Sequence, residues 1–164
     1  AAILEPVRLA AINLDEMRVA EGKKLEKDML ERGEVIKGFV AEISERAPAV
    51  PKEYAERLKQ RIATLLEDAT VASEERIAVE AAIFADKCNI DEEITRLNSH
   101  MEQMKKIIDE QGQPDGKRLD FLVQEMNREA NTIGSKANDL SITERMLKIK
   151  AEVEKIREQV QNIE

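Results

Sequence analysis

The sequence predicts an all-α fold, with long helices in an extended antiparallel bundle and a long helical arm at the amino terminus. Apolar residues recur at helical spacing along most of the chain, and no segment shows the two-residue alternation of a strand. The 164 residues are 37% charged and 2% aromatic, with six glycines and four prolines, a composition typical of long helices. A chain of this length can bury one core, which must be aliphatic and rich in methionine.

The first predicted helix runs from Ile3 to Ile43 with little punctuation. Its apolar side carries Val7, Ala11, Leu14, Leu25, Met29, Ile36, Phe39, Val40 and Ile43. Gly22, Gly33 and Gly38 weaken the helix without ending it, at about 1 kcal/mol each relative to alanine. Such a length indicates an arm that reaches beyond one core or packs against another subunit.

A hairpin turn is predicted at Ala47-Pro48-Ala49-Val50-Pro51, because a residue that precedes proline avoids the helical region. A second helix follows from Glu53 to about Glu67, with Leu58, Ile62 and Leu65 facing inward. We therefore divide the chain into a helical hairpin or arm, residues 1–72, and a helical core, residues 73–164.

The core begins with a third and a fourth helix. Residues 68–72 are predicted as a loop, and Ser73 followed by two glutamates predicts a helix start. The third helix carries Ile77, Ala81 and Phe84 and ends near Asn89. The fourth starts with Asn89 or Asp91 as its cap, and its apolar stripe contains Ile90, Ile94, Leu97, Met101, Met104 and Ile108.

The fifth and sixth helices complete the core. A turn at residues 111–116 precedes the fifth helix, whose apolar stripe contains Leu119, Val123, Met126, Ala130, Ile133 and Ala137. Its end is marked by Gly134 or by Asn138-Asp139. Ser141-x-x-Glu144 then predicts a capping box for the last helix. That helix repeats Ile142, Met146, Ile149, Val153, Ile156, Val160 and Ile163, a coiled-coil-like seam.

The fifth helix also carries a polar face that is unusual for a solvated surface. Asp120, Gln124, Asn127 and Asn131 recur along it, although asparagine is a poor helix former. Short amides mixed with both signs of charge suit a face that binds a polar ligand. A buried polar network between helices explains the same pattern, and the sequence alone leaves both interpretations open.

Bulk charge and cysteine content exclude several classes of function. The formal net charge is −8, which argues against nucleic-acid binding by the whole surface but permits a local basic groove. The lone Cys88 excludes an intramolecular disulfide and a zinc finger and fits a reducing cytoplasm. No apolar run is long enough to span a membrane. The start at Ala1, without an initiator methionine, is compatible with processing and, by itself, also with a fragment of a longer protein.

A candidate metal site combines the only histidine, His100, with carboxylates. Glu93 shares its helix face but lies two turns away, about 11 Å, too far to hold the same ion without another helix. Glu125 and Glu129 are adjacent on the fifth helix, a spacing at which two carboxylates share an ion. This donor set suits Mn²⁺, Mg²⁺ or Zn²⁺. Asp86 is a reserve ligand, and a surface His–Glu–Arg network is the alternative.

Basic and amide side chains beside these acids predict a nucleic-acid contact surface. Such groups suit contacts to phosphate, to a ribose hydroxyl or to a base edge. The candidates are Arg96, Lys117, Arg118, Asn127, Arg128, Asn131 and Lys136. Only Phe121 offers a ring near them, which favours backbone recognition with little sequence preference. Salt bridges within the chain are the alternative.

Several segments resemble the YicC family of bacterial proteins. They are Arg18 to Gly22, Ala85-Asp86-Lys87, Asp91 to His100, Arg118 to Lys136 and Lys155 to Glu164. The likeness covers essentially the whole chain and corresponds to the C-terminal half of the family. It implies an endoribonuclease that uses a divalent metal and assembles into hexamers, with an N-terminal domain of similar size that this chain lacks.

We therefore predict metal-assisted cleavage of single-stranded RNA by a cytoplasmic homo-oligomer, with no membrane or DNA partner. The predicted catalytic metal ligands are Glu93, His100, Glu125 and Glu129. The competing hypothesis is a helical oligomerisation or adaptor module without catalysis, whose polar helix face is an interior network.

Overall fold

The computed structural model describes residues 4–65, 74–110 and 115–163, and these residues form helices without any strand. The all-α prediction is confirmed. The six helices are α1 (Leu4–Arg46), α2 (Ala49–Leu65), α3 (Glu74–Lys87), α4 (Asp91–Asp109), α5 (Gly116–Lys136) and α6 (Leu140–Val160). No helix in the described part of the chain is long and apolar enough to cross a membrane.

Four helices close the core. α4 packs against α5, α5 against α6, α6 against the carboxyl-terminal half of α1, and α1 returns to α4. The apolar stripes predicted for α5 and α6 are confirmed, since every member is buried except Ile163, which is partly buried. Ile36, Leu97, Met126 and Ile149 are fully enclosed. Burying one such side chain contributes about 1.5–3 kcal/mol, so these stripes hold the bundle together.

The amino-terminal half of α1 extends away from this core. Residues 4–24 are all exposed, whereas Met29, Ile36, Val40 and Ile43 on the same helix are buried. The predicted boundary between residues 72 and 73 lies outside the described residues. The second half of α1 therefore contributes to the core, and the first half is an arm.

Pro51 lies inside a helix, whereas the sequence predicted that it belongs to a turn. α2 begins at Ala49, not at Glu53, so Pro51 lies in its first turn. A proline is tolerated there because the first N–H groups of a helix have no partner within it. α2 packs against α3 and not back along α1, where a hairpin was predicted. Tyr54 and Phe84 stack between α2 and α3, with ring centroids 3.8 Å apart.

Helix caps set where α5 ends and α6 begins. Asn138 has a φ of 45°, a left-handed conformation that asparagine tolerates, so the chain turns there and not at Gly134. The cap of α6 is Asp139, whose carboxylate accepts a hydrogen bond from Ile142 N at 3.0 Å. The predicted Ser141 cap is therefore wrong. Ser141 Oγ instead donates to Asp139 Oδ1 at 2.6 Å.

Asp139 also joins three helices. Arg46 at the end of α1 donates to Asp139 Oδ2 at 2.7 Å and to Glu53 on α2. Hydrogen bonds from Arg46 hold the pKa of Asp139 well below its usual range and lower the pKa of Glu53. The Asp139 side chain is only 13% exposed, so this pair is shielded from water.

The helix starts and turns predicted at Ser73, residues 68–72 and residues 111–114 lie outside the described residues. The N-cap of α4 is Ile90, which makes no side-chain cap hydrogen bond, so the predicted cap at Asn89 or Asp91 is wrong. Asn89 Oδ1 instead accepts from Asp91 N at 2.9 Å in the turn before the helix. The α4 stripe is buried as predicted from Ile90 to Met104, and Ile107 continues it, with Ile108 only partly buried.

Candidate metal centre

The groove between α4 and α5 carries a row of charged side chains. The two helices run antiparallel, so ascending positions on α4 meet descending positions on α5. Glu93 pairs with Lys136, Arg96 approaches Glu129, and His100 lies with Glu125 and Glu129. The antiparallel register therefore sets the order of these three contacts along the groove.

Three donors converge at one end of the row. His100 offers a ring nitrogen, and Glu125 and Glu129 each offer a carboxylate oxygen, all within 4.8 Å of one another. An ion held at about 2.1 Å from each donor would bring neighbouring donors to about 3 Å and opposite donors to about 4.2 Å. The three atoms would therefore have to draw closer by side-chain rotation to surround one ion. The i, i+4 spacing supplies the two carboxylates, and helix packing supplies the imidazole.

Burial makes this cluster distinct from an ordinary acidic surface. Glu129 is only 4% exposed, and a buried carboxylate is costly unless a charge or hydrogen bond compensates it. Its ion-pair partner among the described residues, Arg96, stands 3.7 Å away and is itself half exposed. His100 Nδ1 is buried and has no hydrogen-bond partner in the described part of the chain. A cation beside Glu129 would compensate its buried charge, and a ring nitrogen of His100 lies close enough to be a further ligand, so the donor set fits a metal.

Glu93 is the other buried acid, also 4% exposed, but it does not join the three donors. Its Oε1 accepts from Lys136 Nζ, while its Oε2 is buried without a partner among the described residues. The reason is the helix rise: Glu93 and His100 are two turns apart. Asp86, the predicted reserve ligand, is exposed near the end of α3 and lies outside the cluster.

The predicted RNA-binding cations line the same groove or its rim, mostly in ion pairs. Arg96 pairs with Glu92 and Glu129, Arg128 with Glu125 at 3.8 Å, and Lys136 with Glu93. At the other end of α5, Arg118 pairs with Glu110 at 3.4 Å, and Lys117 is exposed. The pairs in which both partners are exposed, Arg96–Glu92 and Arg118–Glu110, are worth about 1 kcal/mol or less, so a phosphate can compete for those cations.

Asn127 and Asn131 occupy a different side of α5. Asn127 lies two residues after Glu125, and Asn131 lies two residues after Glu129. Two residues correspond to about 200° around the helix. Asn131 is exposed and Asn127 is half-buried. Contact between these amides and RNA therefore requires a strand that reaches the opposite flank of α5.

The described residues also form hollows beside the three-donor cluster and on α2. One of about 330 Å³ adjoins the cluster and is lined by Gln103 and Ile107 on α4 and by residues of the first turns of α5, including Phe121. Sequence reasoning missed Gln103, although it lies one turn after His100 and so shares its face. A larger hollow of about 680 Å³ is formed on α2 and is lined by charged and polar side chains from Lys52 to Gln60. The smaller hollow is the one that lies between the two helices of the three-donor cluster.

Cys88 is not a candidate nucleophile. It is buried, and burial raises the pKa of its thiol, so the reactive thiolate is disfavoured. Its Sγ instead donates to the carbonyl oxygen of Ala85 at 3.5 Å. The chemistry available in the described part of the chain is therefore that of carboxylates, one imidazole and cations.

Comparison with known proteins assigns a family to this arrangement. Residues 43–164 match the family described as "Endoribonuclease YicC-like, C-terminal". A protein named "Probable endoribonuclease YicC" from Clostridioides difficile (strain 630) is 48% identical over 160 residues, covering 98% of this chain and 54% of that protein. A protein of the same name from Haemophilus influenzae is 35% identical over 149 residues, covering 90% of this chain and 50% of the relative. The chain thus spans about half the length of these relatives.

Proposed function

The chain belongs to the YicC-like endoribonuclease family through its C-terminal region, and from this premise we propose that it forms the metal-dependent catalytic part of an endoribonuclease. His100, Glu125 and Glu129 are the proposed metal ligands. The observation that carries the proposal is the convergence of these three donors, from two helices, within 4.8 Å. Both relatives are named as probable endoribonucleases, which supports RNA cleavage as the activity.

The bound ion would supply charge neutralisation at a phosphate and a water of lowered pKa. Two carboxylates and one imidazole suit Mn²⁺, Mg²⁺ and Zn²⁺, and the nitrogen donor favours Mn²⁺ or Zn²⁺ over Mg²⁺. We propose Mn²⁺ as the preferred ion. Glu93 is assigned to the groove and not to the ion, because it lies two turns from His100 and one of its oxygens accepts from Lys136.

The chain's own residues would hold the RNA. Arg96 lies 3.7 Å from the buried Glu129 and Arg128 lies 3.8 Å from Glu125, and both guanidinium groups are more than half exposed, so a phosphate can approach them. Lys136, held by Glu93, extends the row of cations along the groove. These contacts are to the sugar–phosphate backbone, so the proposed substrate is single-stranded RNA with little base preference.

Metal-induced stabilisation tests the site separately from catalysis. An ion at 100 times its dissociation constant stabilises the folded state by about 2.7 kcal/mol, a rise in melting temperature of about 5–10 °C for a domain of this size. We expect that rise with Mn²⁺ in the native chain. The double variant Glu125→Gln, Glu129→Gln removes both carboxylate charges and should melt at the same temperature with and without Mn²⁺.

The matched control is Glu144→Gln, which removes an exposed glutamate from α6 and should retain the full response. Cleavage of a labelled single-stranded RNA by the same proteins then tests the activity. A native chain whose melting temperature does not respond to Mn²⁺, or a double variant that responds equally, would contradict the metal site. Either result would favour the adaptor module, with the groove as a structural ion-pair network.

A further inference from the structure

A second binding feature adjoins the metal cluster in the same groove. One turn beyond His100 on α4 stands Gln103, followed by Ile107 on the same face. One turn before Glu125 on α5 stands Phe121, preceded by Lys117 and Arg118. These side chains line an open hollow of about 330 Å³. The hollow therefore continues the line of the metal cluster along both helices.

Phe121 is placed unlike the other aromatic side chains. Tyr54 and Phe84 stack on each other, and Lys148 lies 5.6 Å from the centre of the Phe39 ring. Those three rings are at most partly exposed, whereas Phe121 is 60% exposed. A large ring held out on the rigid second turn of a helix offers a flat surface to a planar ligand at little entropic cost.

The charges around this ring specify the ligand. Lys117 and Arg118 lie within one turn of Phe121, and the groove floor is apolar through Ile107 and Leu122. The one acid in the lining, Asp115, accepts a hydrogen bond from Arg118 N at 3.1 Å as the helix cap. A ligand with a flat apolar face and an attached anion matches this set, and a nucleotide unit has both.

We propose that this hollow is a nucleotide subsite in which Phe121 stacks on one base of the RNA while Lys117 and Arg118 hold the adjacent phosphate. The subsite rests on the proposed endoribonuclease function and deepens it. It anchors the strand one helical turn, about 6 Å, from the metal cluster. Stacking tolerates any base, because every base has a π face, so the subsite sets the position of the strand without selecting a sequence.

The test measures binding of a single-stranded oligoadenylate by fluorescence anisotropy, and compares it with a base-free ribose-phosphate chain of equal length. Phe121→Ala should weaken binding of the oligoadenylate by about 5- to 150-fold, the range observed for loss of one stacked base. The base-free chain should bind both proteins equally. Phe121→Tyr keeps the ring and should bind like the native chain.

Two controls separate the possible failures. Leu147→Ala removes an equally exposed apolar side chain on α6 and should leave both affinities unchanged. The Mn²⁺-induced rise in melting temperature should persist in Phe121→Ala, because the ring is not a ligand. Native protein that binds oligoadenylate no better than Phe121→Ala does would overturn the subsite alone. Native protein that binds neither probe would overturn the subsite and the RNA-binding part of the proposed function together.

Discussion

The two buried acids of the α4–α5 groove, Glu93 and Glu129, differ in the kind of partner they have. Glu93 accepts from the primary amine of Lys136, and Glu129 faces an imidazole and a second carboxylate. Like charges in close proximity are unfavourable, and an active site tolerates them when a cation or substrate compensates them on binding. Glu93 therefore has a cationic partner at hydrogen-bond distance, whereas Glu129 has Arg96 at 3.7 Å and lies beside a second carboxylate.

The sequence predicts contacts within one helix at this site but not the contacts between helices. The pairing of Glu125 with Glu129 follows from four-residue spacing, and the sequence already indicated that Glu93 is two turns from His100. The Glu93–Lys136 pair was not predicted, because it depends on the register of α4 against α5, which no local pattern encodes. The separation of Asn127 and Asn131 from Glu125 and Glu129 needs no such register, because two residues are about 200° apart on one helix.

His100→Gln tests the role of the imidazole. The amide oxygen replaces a nitrogen donor by an oxygen donor of similar reach, which leaves an all-oxygen site that suits Mg²⁺. We expect the dissociation constants for Zn²⁺ and Mn²⁺ to rise by 10-fold or more and that for Mg²⁺ to change less, in calorimetric titrations. Equal weakening for all three ions would mean that the imidazole orients the site without binding the ion.

At the scale of helices, the sequence predicted most of the buried faces and fewer of the helix starts. Apolar stripes repeat over five to seven turns, so each is supported by many residues, as the buried stripes of α5 and α6 show. A cap depends on one or two side chains. Ser141 and Asp139 are both good N-cap residues. Because the chain turns at Asn138, α6 begins directly after Asp139, which is therefore the N-cap.

Asp139→Asn separates the charge of this residue from its capping role, because asparagine caps a helix as well as aspartate does. Loss of the hydrogen bond between charged groups at Arg46 should lower the free energy of unfolding by about 1–2 kcal/mol at pH 7. Asp139→Ala loses the cap as well, which adds about 1 kcal/mol. Urea denaturation of the three proteins measures both effects.

The cost of Asp139→Asn should depend on pH in a defined direction. Because the folded pKa of Asp139 lies below the unfolded value of about 3.9, its charge stabilises the fold above that pH. The contribution falls as the pH drops below about 4 toward the folded pKa, so the native chain and the variant should converge there. A difference that is constant from pH 7 to pH 3 would contradict the ion pair as its cause.

On the scale of the whole molecule, the arm of α1 is notable for apolar side chains that no other part of the described structure covers. Seven large apolar side chains between residues 4 and 19 are 42–74% exposed, namely Leu4, Val7, Leu9, Ile12, Leu14, Met17 and Val19. They lie on several sides of the helix, and a helix that is apolar all round is normally buried. Val7 and Leu14 also continue the stripe that the second half of α1 buries in the core.

We propose that the arm packs against second copies of the chain, in line with the hexamer that the family resemblance implies. Val7→Gln with Leu14→Gln should shift the sedimentation equilibrium from oligomer toward monomer while the helical circular dichroism stays unchanged. Leu147→Gln, an exposed apolar residue on α6, is the matched control and should not change the mass. A native chain that sediments as a monomer up to high micromolar concentration would contradict self-association through the arm.

The proposed metal position lies between the ring of His100 and the carboxylates of Glu125 and Glu129. Anomalous X-ray scattering from crystals equilibrated with Mn²⁺ locates the ion directly. We predict one strong peak within about 2.3 Å of a ring nitrogen of His100 and of an oxygen from each glutamate. A saturated crystal with no peak there, or with its strongest peak on other acids, would contradict the metal centre and the mechanism that follows from it.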